Sequence, residues 1–291
     1  MKQQYLELSL KKSTLALIET INQIIAEYEQ QGFRLTVRQL YYQLVARDVI
    51  PNNEKSYKRV TKTVNDGRLA GLIDWDMIED RTRDFIRRPS WTSPRSILES
   101  AAHSFHMDMW EKQETRVFCV VEKEALVNVL ERVCHRWDVP LLAARGYPSA
   151  SVMREFAVED VLRYSDQQRI IILHLGDHDP SGIDMSRDLQ DRINLFSERC
   201  GIEFHRLALN MDQISEQKPP PNPAKTTDTR FVQYRKKFGN ESWELDALKP
   251  TFLETLVGNY IQQYVDMDAW NRRRDQIEEA REKIKKVAET I

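Results

Sequence analysis

Two runs of consecutive apolar residues, Val117-Phe118-Cys119-Val120-Val121 and Ile170-Ile171-Ile172-Leu173, constrain the fold of this 291-residue chain more than any other feature. A strand that is apolar on both faces must be covered on both, and helices crossing between parallel strands are the usual cover. Strand signals at 116–121, 140–144, 169–175 and 203–209 alternate with helix signals at about 125–137, 149–164 and 181–200. The expected fold class is α/β, with a mainly parallel sheet flanked by helices.

Each apolar run leads into acid. Glu122 follows the first, and Gly176-Asp177-His178-Asp179-Pro180-Ser181-Gly182 follows the second. The carboxyl edge of an open α/β sheet is where ligands bind. In an extended segment Asp177 and Asp179, two apart, share one face and repel. A divalent cation relieves that repulsion, and Mg2+ takes a few carboxylate oxygens while leaving positions for water and phosphate. Glu122, Asp177 and Asp179 are therefore the candidate metal ligands. A D-x-D pair alone is common in loops; the placement of three acids at two strand ends carries the reading. His178 is open to a phosphate-facing or a local structural role.

The amino-terminal third has a different grammar. Leu15, Ile18, Ile25 and Tyr28 recur near the helical period over about 13–31, and Gly32 follows. Thr36-Val37-Arg38-Gln39 has the form of a capping box opening a second helix. Pro51-Asn52-Asn53 breaks it, and a third helix spans about 54–65 before Asp66-Gly67 turns the chain. Two helices around a tight turn suggest helix-turn-helix. The alternation of Ile73, Trp75 and Met77 with Asp74 and Asp76 suits the strand of a wing. The expected division is an amino-terminal winged-helix domain over 1–95 and a second domain over 96–291. A helix at 96–112 joins them, and the proline-rich segment 217–228 reads as a mobile loop or linker. Helices are expected beyond 245, the last of them, from 271, charged and solvated.

The net charge of −2 does not announce a nucleic-acid partner, but its distribution does. Residues 34–95 hold 13 Lys/Arg against 8 Asp/Glu. In the third helix Tyr57, Val60 and Val64 define an inner face, with Lys55, Lys58, Arg59 and Lys62 opposite, where a phosphate backbone fits. Arg81, Arg83, Arg87 and Arg88 would extend that contact. Cys119, Cys134 and Cys200 are isolated, without the spacing of a zinc site or a disulfide framework, and read as core thiols. No apolar run approaches the roughly 20 residues of a membrane span. The polar amino terminus lacks a secretory signal, so the expected compartment is the cytoplasm.

On the second helix, Val37, Leu40, Tyr41, Leu44 and Val45 form the core stripe, which makes Tyr41 structural. Tyr42 points away from that stripe, toward the side of Arg38, and is expected to be available for chemistry. A phenol needs a nearby cation or base to act as a nucleophile; Arg38 is one candidate.

Val120-Val121-Glu122 with Asp177-His178-Asp179 resembles the TOPRIM signature of topoisomerases, primases and certain nucleases, over about 116–209. Arg145-Gly146-Tyr147-Pro148 and the segment from Gly176 to Ile183 resemble more particularly the A subunit of topoisomerase VI and the related meiotic break-forming transesterases. That family joins a winged helix to a TOPRIM domain in this order. The segment from Val37 to Tyr42 resembles the one bearing its catalytic tyrosine, which aligns with Tyr42; Gln39 departs from it, standing where many relatives have an acid. The resemblance implies cleavage of double-stranded DNA through a 5′-phosphotyrosyl bond at Tyr42, with Mg2+ at Glu122, Asp177 and Asp179 stabilising the developing charge and the leaving 3′ oxygen. It also implies a homodimer in which the tyrosine of one subunit works with the metal site of the other. The chain is shorter than typical A subunits and contains no G-x-x-x-x-G-K-[ST] phosphate loop, so any ATPase would be a separate subunit. Two other readings stay open: a nuclease using metal-activated water, and a DNA-binding module without catalysis.

Overall fold

The computed structural model describes residues 1–79, 88–197 and 202–290. Helix α1, Lys12–Gln30, buries Leu17, Ile18, Ile21, Ile24, Ile25 and Tyr28, while Leu15 in its first turn is exposed. Strand β1, Leu35–Thr36, runs directly into α2, Val37–Ala46. The capping box is formed: the Thr36 hydroxyl accepts the Gln39 amide at 3.2 Å, and the Gln39 side chain accepts the Thr36 amide at 2.8 Å. Helix α3, Glu54–Leu69, begins on Asn53, whose side chain accepts the Ser56 amide at 2.8 Å. It runs past Asp66-Gly67, because the Asp66 carboxylate pairs with Lys62 one turn back at 2.8 Å and does not turn the chain.

The expected wing strand over 73–77 is absent. The Asp74 side chain accepts the backbone amide of Asp76 at 2.8 Å, and Arg68 donates to the Trp75 carbonyl at 2.6 Å, so these backbone groups serve a turn and not a ladder. Its alternation still reports burial, with Ile73 and Met77 inside. The strand comes later: β2, Ile78–Glu79, pairs in parallel with β1. Among the described residues no antiparallel wing stands beside α3.

Helix α4, Pro94–Ser104, starts from a capping box on Ser93, stops short of the expected residue 112, and packs along the last helix of the chain. The alternation then proceeds as read from the sequence: β3, Thr115–Val121; α5, Val127–Arg136; β4, Leu141–Ala143; α6, Ala150–Glu155, continuing through a π-helical turn into α7, Leu162–Ser165; β5, Arg169–Leu175; α8, Pro180–Ser197; β6, Glu203–Ala208. The four strands form one sheet in the order β4-β3-β5-β6, every pair parallel. Side chains alternate to two covers. Phe118, Val120, Ile170 and Ile172 meet Met153, Phe156, Met185 and Leu189 on one face. On the other, Val117, Cys119, Val121, Ile171 and Leu173 join a cluster with Leu130 and Val133 of α5 that also includes the buried residues of α1 and α2. Fully burying one such side chain is worth roughly 1.5–3 kcal/mol, which explains why the central runs 117–121 and 170–173 of these strands lack polar positions. Cys119 and Cys134 are buried free thiols, as expected; Cys200 lies outside the described residues.

Beyond the sheet come α9, Met211–Gln217; β7, Asn222–Pro223; α10, Phe231–Phe238; β8, Glu241–Ser242; α11, Pro250–Gln262; and α12, Met267–Glu289. Segment 217–228 is a strap, not the expected mobile loop. Strand β7 pairs antiparallel with β8, and Asn52 of the amino-terminal unit donates to the Pro221 carbonyl at 3.2 Å and the Asn222 side-chain oxygen at 2.6 Å. Prolines lack an amide to donate, but their carbonyls still accept. Helix α12 is solvated on one face only, since Trp270, Arg273 and Ile277 are buried. Among the described residues no helix is long and apolar enough to cross a membrane.

Candidate active site

Register brings the acids together. Val121 lies opposite Leu175, so Glu122 and Gly176-Asp177 leave the sheet side by side. The Glu122 amide donates to the Leu175 carbonyl at 2.9 Å, and the Asp177 amide donates to Glu122 Oε2 at 2.9 Å. Two glycines make room. A Cβ on Gly176 would lie 2.9 Å from Glu122 Oε2, and one on Gly182 would lie 2.3 Å from the Asp177 carbonyl oxygen. Asp179 Oδ1 accepts the Gly182 amide at 2.6 Å, in the first turn of α8.

Asp177 and Asp179 do not present their carboxylates together, as alternation along an extended segment would require. The Asp177 side chain is turned inward: Oδ1 accepts the Leu245 amide at 2.8 Å, and Oδ2 pairs with Lys123 at 2.9 Å. Asp179 instead lines an open cleft. Among the described residues no three His, Cys, Asp or Glu side chains stand as a ready metal cage.

Two further acids, invisible to the sequence reading, complete the cluster. Glu244 and Asp246 follow β8, and Asp246 is fully buried. Lys123 reaches both, contacting Glu244 and lying 3.2 Å from Asp246. Arg38 pairs with Glu244 at 2.8 Å and with Asp246 at 2.7 Å. A third cation, Arg206, donates to the carbonyls of Asp177 at 2.6 Å and Gly182 at 2.8 Å. The only sequence cue was the spacing of Glu244 and Asp246, two apart like the D-x-D pair but with no buried strand run before them.

Burial pushes the carboxyls of Glu122 and Asp177 above their usual range. Burial also opposes ionisation of Glu244, but Lys123 and Arg38 outweigh it and hold that carboxyl down at about 2. Burial lowers Arg206 to about 10, against the pull of Glu122, Asp177 and Asp179. Five carboxylates thus face three cations, and the excess of two negative charges matches one divalent ion. The donor set fits Mg2+ in charge and kind, and Glu122, Asp177 and Asp179 at the two strand ends are the residues that would hold it.

Tyr42 is not open on the surface. It is only 5% exposed, because the segment around Leu245 packs onto α2 and covers the helix on the side away from its core stripe. Its ring meets Tyr41 edge-on at 5.1 Å, and the Arg38 guanidinium lies 5.8 Å from the ring centre. Burial, with Glu244 and Asp246, pushes the phenol above its ordinary range. Tyr42 borders a cleft of about 420 Å³ whose lining includes Arg38, Asp179 and Glu244. One chain therefore brings the expected nucleophile and an expected metal ligand to a single cavity. Tyr41 is structural as expected, its hydroxyl donating to Asn52 at 2.8 Å, and it also borders the cleft.

The basic face of α3 is exposed, but part of its charge is spent. Lys58 pairs with Glu54 at 2.6 Å and Lys62 with Asp66 at 2.8 Å, while Arg59 reaches the Ser13 carbonyl at 3.4 Å; Lys55 is exposed. Tyr57, assigned to the inner face, is 37% exposed at the cleft. Arg88 is exposed, and Arg81, Arg83 and Arg87 lie outside the described residues. His178 has the structural role of its two alternatives. It is buried with Nδ1 2.8 Å from the Tyr234 hydroxyl, edge-on to Phe238 at 4.6 Å, and its amide and carbonyl both bond Trp243. Comparison with known protein families and with curated proteins finds no match to this chain.

Proposed function

We propose that this protein cleaves DNA by Mg2+-dependent tyrosine transesterification, as a compact relative of the topoisomerase VI A subunit. In this reading the sheet unit is a TOPRIM domain, and the amino-terminal helices are a winged-helix-like DNA-binding unit. The observation that carries it is the shared cleft: Tyr42 and Arg38 line the same cavity as Asp179 and Glu244.

The Tyr42 oxygen, its proton lost to water, attacks a backbone phosphorus, the bond from phosphorus to the 3′ oxygen breaks, that oxygen takes up a proton from water, and a 5′-phosphotyrosyl link results; resealing is the reverse. Bound Mg2+ would supply charge stabilisation to the phosphate and the leaving oxygen. Arg38 places a permanent cation beside the phenol and favours both its ionisation and the approach of a phosphate. Glu244, ionised at neutral pH, holds Arg38 in place. Lys123 balances the inner carboxylates until a divalent ion enters. Paired as a homodimer, two such sites would cut both strands, each Tyr42 working beside the acids of its own chain and not, as the resemblance implies, beside its partner's; strand passage would need an ATPase supplied by a separate subunit.

One observation favours a hydrolytic nuclease instead: the surroundings of Tyr42 oppose its ionisation, and a water nucleophile would avoid that cost. The two readings part on the product. Wild type, Tyr42→Phe and Asp177→Ala are incubated with supercoiled plasmid and Mg2+ and stopped with denaturant. Protein covalently attached to DNA in wild type alone supports transesterification. Free-ended cleavage by Tyr42→Phe establishes the nuclease, and no cleavage by any form leaves a DNA-binding module.

A further inference from the structure

The cleft at Tyr42 is too small for a double helix. At about 420 Å³ it lies within the roughly 300–1,000 Å³ range of small-ligand sites, a space that suits one small guest. The two walls are tied together, since Asn52 at the head of α3 bonds Asn222 of the strap at 2.6 Å. Tyr42, 5% exposed, is reached through this cleft, which a single strand enters more readily than a paired one.

The lining matches such a guest. Tyr57 is 37% exposed and held edge-on to Tyr41 at 5.3 Å, so its ring is oriented by a buried neighbour while remaining open to the cleft. Aromatic rings presented this way stack on bases of any sequence. Asn53 and Asn222 line the cleft with their side-chain oxygens engaged, by the Ser56 amide and by Asn52, so what each amide has left to offer a guest is its NH2. Lys225, exposed on the strap, supplies a cation at the mouth. None of these residues belongs to the acidic cluster.

We infer that the cleft is a subsite for one unpaired nucleotide of a DNA strand, its base stacked on Tyr57 and its phosphate directed inward to Tyr42. The preferred substrate is then single-stranded or locally opened DNA. This deepens the reading above, and its test is independent of chemistry because it is run in EDTA.

A duplex carrying a single unpaired 5-iodouracil is irradiated with the full-length protein, and the crosslinked peptide is sequenced by mass spectrometry. Affinities for the same duplex and a fully paired one are measured in parallel. The expected crosslink falls on Tyr57 or Tyr41, with tighter binding of the unpaired site. Tyr57→Ala should lose about 5- to 150-fold in affinity for the unpaired site and none for the paired duplex, while Tyr57→Phe keeps the preference. Crosslinks confined to the outer lysine face of α3, or equal affinity of wild type and Tyr57→Ala for the unpaired site, would overturn the proposal. Loss of covalent adducts alone would sink the transesterase reading and leave this subsite standing.

Discussion

Arg38 spans the 2.8 Å to Glu244 and the 2.7 Å to Asp246, and so fastens the helix bearing Tyr42 to the acidic end of the sheet. Removing it leaves the fully buried Asp246 carboxylate with Lys123, 3.2 Å away, as its remaining cation. Breaking a buried pair costs about 3–5 kcal/mol, but the Arg38 side chain is 43% exposed, and water screens part of the loss. Arg38→Ala is expected to lower unfolding stability by roughly 1–3 kcal/mol in urea titration and to abolish adduct formation. Arg38→Lys keeps the charge but not the fork that reaches both acids, and should recover only part of either.

Tyr42→Phe separates chemistry from folding. The phenol oxygen has no hydrogen-bond partner among the described residues, so the variant should unfold within about 0.5 kcal/mol of wild type. Covalent attachment to DNA should disappear. An equal loss of stability and attachment would mean that the phenol is part of the scaffold.

The pH dependence of attachment follows from the raised phenol. Its ionised fraction stays small up to the ordinary tyrosine value of about 10 and beyond. Initial adduct formation should climb about tenfold per pH unit between about pH 7 and pH 9, without a plateau. A plateau already at neutral pH would show that a general base removes the proton.

Stability should fall in mild acid for a different reason. Burial holds His174, which is fully inaccessible, at about 3. The folded value is thus below the unfolded value of about 6.5, and below that point the unfolded chain takes up a proton the folded one refuses. The penalty begins as pH drops under about 6.5 and reaches about 2 kcal/mol at pH 5. Urea titrations at pH 7 and pH 5 should show this loss in wild type and a smaller one in His174→Leu.

Divalent binding is testable without turnover. Mg2+ at about 100 times its dissociation constant should add about 2.7 kcal/mol to folding, read as a raised unfolding midpoint that EDTA reverses. Asp179→Asn, which removes one of the excess negative charges, should reduce the shift. An unchanged shift would move the ion away from the cleft.

The sheet was legible because burial on both faces leaves a mark in composition: Val117 to Val121 and Ile170 to Leu173 contain no polar residue, and the acids directly behind them inherit their place at the strand ends. The capping box at Thr36 and Gln39 was equally plain, being local. What escaped depends on segments far apart in the chain. Periodicity in α2 shows which face is apolar, but not that the segment around Leu245 covers the other, so Tyr42 read as open. Glu244 and Asp246 carry no mark until Lys123 and Arg38 are folded against them. The strap failed for a subtler reason: prolines signal the end of a ladder, yet the Pro221 carbonyl here receives Asn52.

The Asn52 bridge between the strap and the head of α3 has a kinetic consequence. The two walls are tied at both ends, by Arg38 to Glu244 and by Asn52 to Asn222, so a guest that widens the cleft has the neutral Asn52 tie as the weaker one to release. On the proposed reading, release of that tie would pace turnover, and a cleaved end held inside would be retained long enough to be rejoined. Weakening that one amide contact should speed both entry and escape, trading fidelity of resealing for rate.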